Sequence, residues 1–218
     1  MLDADEVLAI VAQGEGSRVE FKRGLPREEK VARTLAAFAN TRGGHFFVGI
    51  GDRGELMGAP KPQETASELR EIASQAIEPP VPAQVEIVLV DGVPVVIATI
   101  GLSDDRPHTV LRTGGEREAP IRVGSSTRTA KGPALEALSR SGRAEGLAGL
   151  NSLERDVLAW VESRPDRGGD GATDATPQDY ARARNIGVVR ARRAFIKLER
   201  AGRLVGFGKG SQRTYGRP

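Results

Sequence analysis

Residues 35–50 read LAAFANTRGGHFFVGI, and this stretch decides the fold of the first half of the chain. Its first part continues a pattern in which Val31, Leu35 and Phe38 recur at spacings of four and three, which predicts one face of a helix. The paired glycines that follow predict a tight turn, because glycine adopts positive φ angles at little cost. The apolar run HFFVGI then predicts a strand. We therefore expect a helix that turns directly into a buried strand.

The segments around this stretch alternate between helical and extended patterns. Residues 85–90 and 93–100 predict two strands joined by Asp91-Gly92, a dipeptide that favours two-residue hairpin turns. Because the helix–strand alternation occurs together with a hairpin, we expect an α+β fold with a mixed sheet rather than a doubly wound parallel sheet. The remaining predicted elements are helices over residues 2–13, 27–40 and 64–77 and strands over residues 18–22, 45–50 and 119–124.

The composition excludes several kinds of site. The 218 residues contain no cysteine, which excludes a disulfide framework, a zinc finger and a cysteine nucleophile. With two histidines, His45 and His108, a histidine-rich metal site is excluded as well. A metal ion is therefore expected to be held by carboxylates, which favours Mg²⁺ or Mn²⁺. Because the chain has no long apolar run and its acidic start is unlike a signal peptide, we expect a cytoplasmic protein without membrane contact.

Positive charge is concentrated near the C-terminus. The whole chain has a net charge of +3, whereas residues 181–218 contain 11 lysines and arginines and one acid, Glu199. Such a density is typical of a surface that binds phosphate groups, and it is also compatible with a solvated face. The pattern of helices within this tract favours nucleic acid as the partner.

Three acids of the N-terminal half stand where acids are uncommon. Glu20 lies within the strand pattern RVEFK, Glu15 precedes that strand, and Asp52 follows the apolar strand. Two adjacent strands would bring Asp52 near Glu20, and clustered carboxylates are stable when a cation lies among them. Mg²⁺ or Mn²⁺ there could activate water for attack on a phosphodiester, with Lys22 orienting the phosphate. A turn at Asp52 and an ion pair between Glu20 and Lys22 explain the same residues without catalysis.

Four motifs in this half follow one another in an order that is typical of one family. They are GEGSRVEFK at residues 14–22, the stretch at residues 35–50, the segment after that stretch with Asp52, Gly54 and Gly58, and IRVGSSTRTA at residues 121–130. Together they resemble the AlbA-like domain of the Schlafen family. The resemblance covers most of residues 14–131 and implies an α/β domain that contacts nucleic acid.

The resemblance also implies candidate catalytic residues. Nuclease-active Schlafen members cut structured RNA with a metal ion held by two glutamates and one aspartate, and these positions correspond to Glu15, Glu20 and Asp52, with Lys22 nearby. Because active members pair two such lobes, the resemblance implies a homodimer. Bacterial members are also described as DNA-binding regulators or as ATP-binding proteins. ATP is not expected here, because no Lys-Ser/Thr pair follows Gly43-Gly44 as in a P-loop.

The last third of the chain predicts a separate unit. A glycine-rich linker over residues 141–150 divides the chain into an AlbA-like domain (1–140) and a C-terminal domain (151–218). The order of elements in the second domain resembles the winged helix-turn-helix family, which places a basic helix in the major groove of DNA. Those elements are helices at residues 151–163, 176–184 and 188–201 and a two-stranded ribbon at residues 203–215 with Gly208-Lys209-Gly210 at its turn.

Nine basic residues are the candidates for contact with nucleic acid. They are Arg122, Arg128, Lys131, Arg190, Arg192, Arg193, Lys197, Lys209 and Arg213. Two functions stay open from the sequence. One is a metal-dependent nuclease that acts on structured RNA or on DNA. The other is a non-enzymatic DNA-binding transcriptional regulator whose AlbA-like domain dimerises or senses a ligand.

Overall fold

The structure is a computed structural model that describes residues 2–141, 150–164, 175–201, 203–207, 210 and 213–216. Within these residues the chain forms two four-stranded sheets, a two-stranded antiparallel ribbon and seven helices. The α+β class with a mixed sheet is therefore confirmed. None of the described helices combines the length and the apolar character that are needed to cross a bilayer.

The elements follow the predicted order and add several short strands. The N-terminal part begins with α1 (Ala4–Val11), β1 (Val19–Lys22), α2 (Glu28–Thr41), β2 (Gly44–Val48), α3 (Pro62–Gln75) and β3 (Ile77–Glu78). It continues with β4 (Ala83–Val90), β5 (Val93–Ile100), β6 (Thr109–Leu111), β7 (Arg117–Val123), β8 (Ser126–Ala130) and α4 (Pro133–Ser141). In the C-terminal part they are α5 (Ser152–Glu162), α6 (Pro177–Ala183), α7 (Val188–Arg200), β9 (Val205–Phe207) and β10 (Thr214–Gly216).

The first sheet has the strand order β1-β2-β5-β4. Strands β1 and β2 are parallel, with Glu20 opposite Phe46, whereas β5 is antiparallel to both of its neighbours. Asp91 and Gly92 have φ angles of 49° and 78°, as the two-residue hairpin between β4 and β5 requires. The predicted hairpin is therefore confirmed, and residues 35–50 supply β2, the strand beside β1.

Helix α2 lies between the two sheets and is buried on both sides. Val31, Leu35 and Phe38 are fully buried, as their spacing predicts. The alanines of the same stretch are buried as well, and β7 of the second sheet lies along the helix. Because alanine side chains are short, they allow the second sheet to approach the helix closely. The periodic pattern predicts one buried face, and the second sheet accounts for the other.

The second sheet has the strand order β3-β6-β7-β8, and its neighbouring strands are antiparallel. Of these strands, the sequence pattern predicts only β7. The segment that contains the candidates Arg122 and Arg128 forms the end of β7, a turn and the edge strand β8, with Ile121 opposite Arg128. Strands β3 and β6 are short, and β8 (STRTA) is polar, so none of them shows an apolar alternation.

Asn40, at the end of α2, ties this helix to the second sheet. Its amide group donates to the backbone oxygens of His108 and Pro120, both at 2.8 Å, and its Oδ1 accepts the His108 N–H at 2.7 Å. The next residue, Thr41, accepts the backbone N–H of Arg122 on its Oγ1 at 2.9 Å. These bonds satisfy buried backbone groups of the second sheet. The Asn-Thr pair of the opening stretch therefore joins the helix to β7.

The C-terminal helices surround an aromatic core. Trp160, Tyr180, Phe195 and Tyr215 are buried, and successive rings meet edge to face with centroids 5.2, 5.7 and 5.0 Å apart. Trp160 lies in this core, and Tyr215 brings the antiparallel ribbon of β9 and β10 against the helices. Residues 142–149, which carry most of the predicted linker, and residues 208–209 of the predicted ribbon turn lie outside the described residues, as do residues 165–174. The division into two domains stays a prediction.

The stability of the fold is expected to fall in mild acid. Burial lowers the pKa of His108, whose Nδ1 lies 2.7 Å from the Pro79 carbonyl oxygen, and burial also lowers the pKa of His45. In the unfolded chain both histidines bind protons near pH 6.5, whereas in the folded chain they bind protons only at lower pH. The free energy of unfolding should therefore be highest above about pH 6.5 and should decrease as the pH falls, by at most about 1.4 kcal/mol per pH unit for each histidine.

Urea unfolding measured between about pH 7.5 and pH 5.5 checks this expectation. The His108→Gln variant should show a smaller dependence on pH, and the double variant with His45→Gln should show almost none in this range. A wild-type free energy of unfolding that stays constant across the range would contradict the prediction.

Candidate functional site

Three of the four predicted catalytic residues lie in contact at β1. The side chains of Glu20 and Lys22 project from the same face, because positions two apart in a strand point the same way. Lys22 Nζ lies 2.7 Å from Glu20 Oε1 and 3.6 Å from Glu15 Oε1. Glu15 Oε1 also accepts the backbone N–H of Phe21 at 2.8 Å. Lys22 therefore links the two carboxylates.

Arg122 of β7 is the second cation on Glu20. Its Nη1 lies 3.0 Å from Glu20 Oε2 and 3.2 Å from Thr127 Oγ1, and its Nη2 donates to the Gly16 carbonyl oxygen at 2.5 Å. The guanidinium also lies over the Phe38 ring, 5.1 Å from the centroid. The side chain of Arg122 is 1% exposed and is already bound by these partners, and its contact with nucleic acid stays a prediction.

A groove of about 440 Å³ opens beside these ion pairs. Its charged lining consists of Lys22, Lys30, Arg33, Arg122 and Glu20. The other lining residues are Pro26, Thr34, Phe46, Ser125 and Thr127. Lys30 is exposed and forms no ion pair with another residue in the described ranges. Lysine and hydroxyl side chains of this kind suit contacts with phosphate oxygens.

Arg33 is held in the groove by Glu118, a buried carboxylate of β7. Glu118 Oε1 accepts a hydrogen bond from Arg33 Nε, and its Oε2 accepts one from the Thr129 hydroxyl. Sequence reasoning missed this pair, because the two residues are 85 positions apart in the chain. One feature of the sequence could have indicated this pair. Glu118 lies next to the predicted strand at residues 119–124, and an acid that is buried beside such a strand needs a partner.

Asp52 lies apart from Glu15 and Glu20. Because Glu20 faces Phe46 in the parallel register, Asp52 comes well beyond the point where the two strands pair. It is exposed in the turn after β2, and Gly54 of that turn lies against Val11 of α1. The expectation that adjacent strands bring Asp52 to Glu20 is not met: the strands are adjacent, but their register separates the two residues.

The carboxylates of this region do not form the metal site expected from the sequence. The described residues contain no group of three or more histidine, aspartate or glutamate side chains that could hold a metal ion. Both oxygens of Glu20 are engaged, one by Lys22 and the other by Arg122. Mg²⁺ or Mn²⁺ at Glu20 would have to displace the Lys22 ammonium group or the Arg122 guanidinium group from its carboxylate. The donor set of Glu15, Glu20 and Asp52 therefore does not fit such an ion.

Helix α7 carries a second group of predicted contact residues. Arg190, Arg192 and Arg193 are exposed, whereas the opposite side of the helix is buried among α5 and α6. Lys197 is committed elsewhere, because its Nζ lies 2.6 Å from Oε1 of the buried Glu154 and lowers the pKa of that carboxyl. The three arginines are thus the free cations of the outward face within the described chain.

The remaining candidates have different surroundings. Arg213 lies 2.5 Å from Glu199 Oε1 and over the Tyr215 ring, so it stabilises the ribbon. Arg128 is half-buried on β8, and Lys131 is exposed just after it. Lys209 lies outside the described residues.

A comparison with known families identifies the family of the N-terminal part of the chain. The family model described as Schlafen, AlbA_2 matches residues 15–131. The chain belongs to this family. The match spans both four-stranded sheets and the groove, while helices α5–α7 and the ribbon lie beyond it. Domains of this AlbA/Schlafen type are associated with nucleic acids.

Two solved structures are similar to parts of the chain. The N-terminal domain of a RecG-related protein from Nitrosomonas europaea is 23% identical with a TM-score of 0.43, and the match covers 52% of this chain and 84% of that one. The DIP2311 protein from Corynebacterium diphtheriae is 20% identical with a TM-score of 0.47, and the match covers 72% of this chain and 38% of that one.

We expect Glu20→Gln to destabilise the fold strongly. The variant leaves the enclosed guanidinium of Arg122 without a carboxylate, and breaking a buried ion pair in this way costs about 3 kcal/mol or more. Urea unfolding measures the loss. The matched control is Glu15→Gln, which should lose less than about 1 kcal/mol, because Glu15 is exposed and a glutamine still accepts the Phe21 N–H.

A double variant separates charge from packing. Replacing Arg122 by Met in the Glu20→Gln background removes the unpaired charge and should recover part of the lost stability. Equal stability of Glu20→Gln and the wild type would show that Arg122 does not need this carboxylate.

Proposed function

We propose that this chain binds duplex DNA through a winged-helix unit formed by α5, α6, α7 and the β9–β10 ribbon. The observation that carries the proposal is the outward face of α7. Arg190, Arg192 and Arg193 are exposed there and pair with no acid among the described residues. The one acid in the sequence of α7, Glu199, is buried and paired with Arg213. A helix face with arginines and no acid attracts phosphate groups.

The arrangement of α6 and α7 supports this proposal. Helix α6 ends at Ala183, Asn185 turns the chain with a φ angle of 49°, and α7 begins at Val188. The two helices pack on each other through their apolar sides. In helix-turn-helix proteins a second helix supported in this way lies in the major groove, and a ribbon after it can reach the phosphates.

Duplex DNA is the partner that fits an exposed basic helix face. The major groove of B-form DNA is about 12 Å wide and admits an α-helix, whereas the major groove of A-form RNA is too narrow for side chains to read. A helix such as α7 therefore favours DNA over double-stranded RNA.

The AlbA-like domain contributes a second surface in this proposal. Lys22, Lys30 and Arg33 line its groove, and hydroxyl groups lie beside them. The association of such domains with nucleic acids supports a phosphate contact there. A homodimer on a two-fold symmetric site is part of the same proposal, because paired recognition helices read paired half-sites.

We expect the double variant Arg192→Ala/Arg193→Ala to bind duplex DNA at least about tenfold more weakly than the wild type. The slope of log affinity against log salt should become shallower by about 2, because each lost phosphate contact removes about one released counterion. Fluorescence anisotropy with a labelled duplex at several salt concentrations measures both quantities.

The matched control removes the same charge elsewhere. Arg53→Ala/Arg70→Ala also deletes two exposed arginines, both in the AlbA-like lobe and outside the lining of its groove. It should leave the affinity within about twofold of the wild type, because a distant charge is screened over about 8 Å at physiological salt. Equal losses in both double variants would show that net charge, rather than α7, attracts the DNA.

Phosphodiester cleavage is a second candidate function. The observation that favours it is the contact of Lys22 with both Glu15 and Glu20 at the mouth of a basic groove. Against it stand the position of Asp52 and the engagement of both Glu20 oxygens. Binding without cleavage is therefore the function that the geometry supports better.

We expect labelled tRNA, single-stranded DNA and duplex DNA to remain intact with Mn²⁺, with Mg²⁺ and with chelator. A cleavage gel checks this expectation. Metal-dependent cutting that Glu15→Gln or Asp52→Asn abolishes would instead establish the nuclease. These two variants are better probes than Glu20→Gln, because Glu20 also compensates a buried arginine.

A further inference from the structure

Val189 is the most exposed large apolar side chain in the described part of the chain, with 66% of its surface accessible. It lies in the first turn of α7, one helical turn before Arg193. Both residues face away from the buried stripe that includes Ala191 and Phe195. The outermost line of this helix therefore begins with an apolar group and continues with a cation.

The position of Val189 matters because of what surrounds it. Arg190, Arg192 and Arg193 are all exposed on the same helix, so the valine stands within a strongly basic surface. An apolar protein partner would have to desolvate these arginines, which is unfavourable. DNA neutralises them and at the same time presents base edges to the first turn of a recognition helix.

Resting on the proposed function, we propose that Val189 recognises thymine through its C5-methyl group in the major groove. A valine side chain offers neither a hydrogen-bond donor nor an acceptor. Among the four bases, thymine alone presents an apolar group in the major groove, and apolar side chains contact it there. The flanking arginines hold phosphates or guanine edges, whereas Val189 distinguishes thymine from the other bases.

The experiment compares thymine with deoxyuridine, which forms the same base pair and lacks the methyl group. The full chain first selects binding sites from a random duplex library, and thymine should be enriched at a fixed position. The selected duplex is then synthesised with thymine or with deoxyuridine at that position. Wild-type affinity should fall about fourfold with deoxyuridine, the factor expected for one buried methyl group.

Two valine variants test whether Val189 makes this contact. Val189→Ala should bind the thymine duplex about fourfold more weakly than the wild type and should bind both duplexes equally. The matched control is Val188→Ala, an adjacent valine that is 40% exposed and lies toward the side of the helix. It should retain the fourfold preference for thymine.

The outcomes separate this inference from the proposed function. Equal wild-type affinity for the two duplexes, or a thymine preference that survives Val189→Ala, overturns the inference. Either result leaves the DNA-binding proposal intact if Arg192→Ala/Arg193→Ala still weakens binding. Selection of sites without a preferred thymine also overturns the inference, and failure to bind any duplex overturns both.

Discussion

The ion pair between Glu20 and Arg122 connects the first sheet to the second within the N-terminal lobe. Removing a guanidinium from water is costly unless a carboxylate and further acceptors compensate it. The Nε of Arg122 has no partner among the described residues, so compensation depends on Glu20, the Gly16 carbonyl, Thr127 and the Phe38 ring. One buried cation therefore fixes the relative positions of β1, the turn before it, α2 and β8.

This role of Glu20 limits the chemistry that the same residue can perform. Lys22 is one-third exposed and can leave the Glu20 carboxylate, whereas Arg122 is enclosed and cannot. At most one oxygen of Glu20 is therefore available to a ligand without disturbing the contact between the sheets. The acidic pattern that resembles a nuclease site is also a structural pattern in this lobe. For this reason, the presence of these acids in the sequence does not by itself indicate catalysis. The geometry of their side chains is the better guide to what they do.

Local periodicity explains which parts could be predicted from the sequence. The fully buried side of α2, the Asp91-Gly92 hairpin and the helices α5–α7 follow from spacing and turn residues within a few positions. The separation of Asp52 from Glu20 depends on strand register, and the burial of Arg122 depends on a partner 102 positions away. Neither is visible in a short window of sequence. The polar strand β8 was missed for a related reason, since it is recognised as a strand only by its pairing with β7.

The two parts of the chain differ in how their positive charges are compensated. Around the groove, Lys22, Arg33 and Arg122 are paired with Glu20 and Glu118, which lowers the positive potential of that surface. On α7, Arg190, Arg192 and Arg193 have no such partners within the described residues, and Glu199, the acid of this helix, is buried and paired with Arg213. Since unpaired charges dominate attraction at a distance, the DNA affinity in the proposed function, and its salt dependence, should follow α7. In the proposed function, the groove of the AlbA-like lobe, where Lys30 is exposed and most other cations are paired, would guide a nucleic acid that is held mainly by α7.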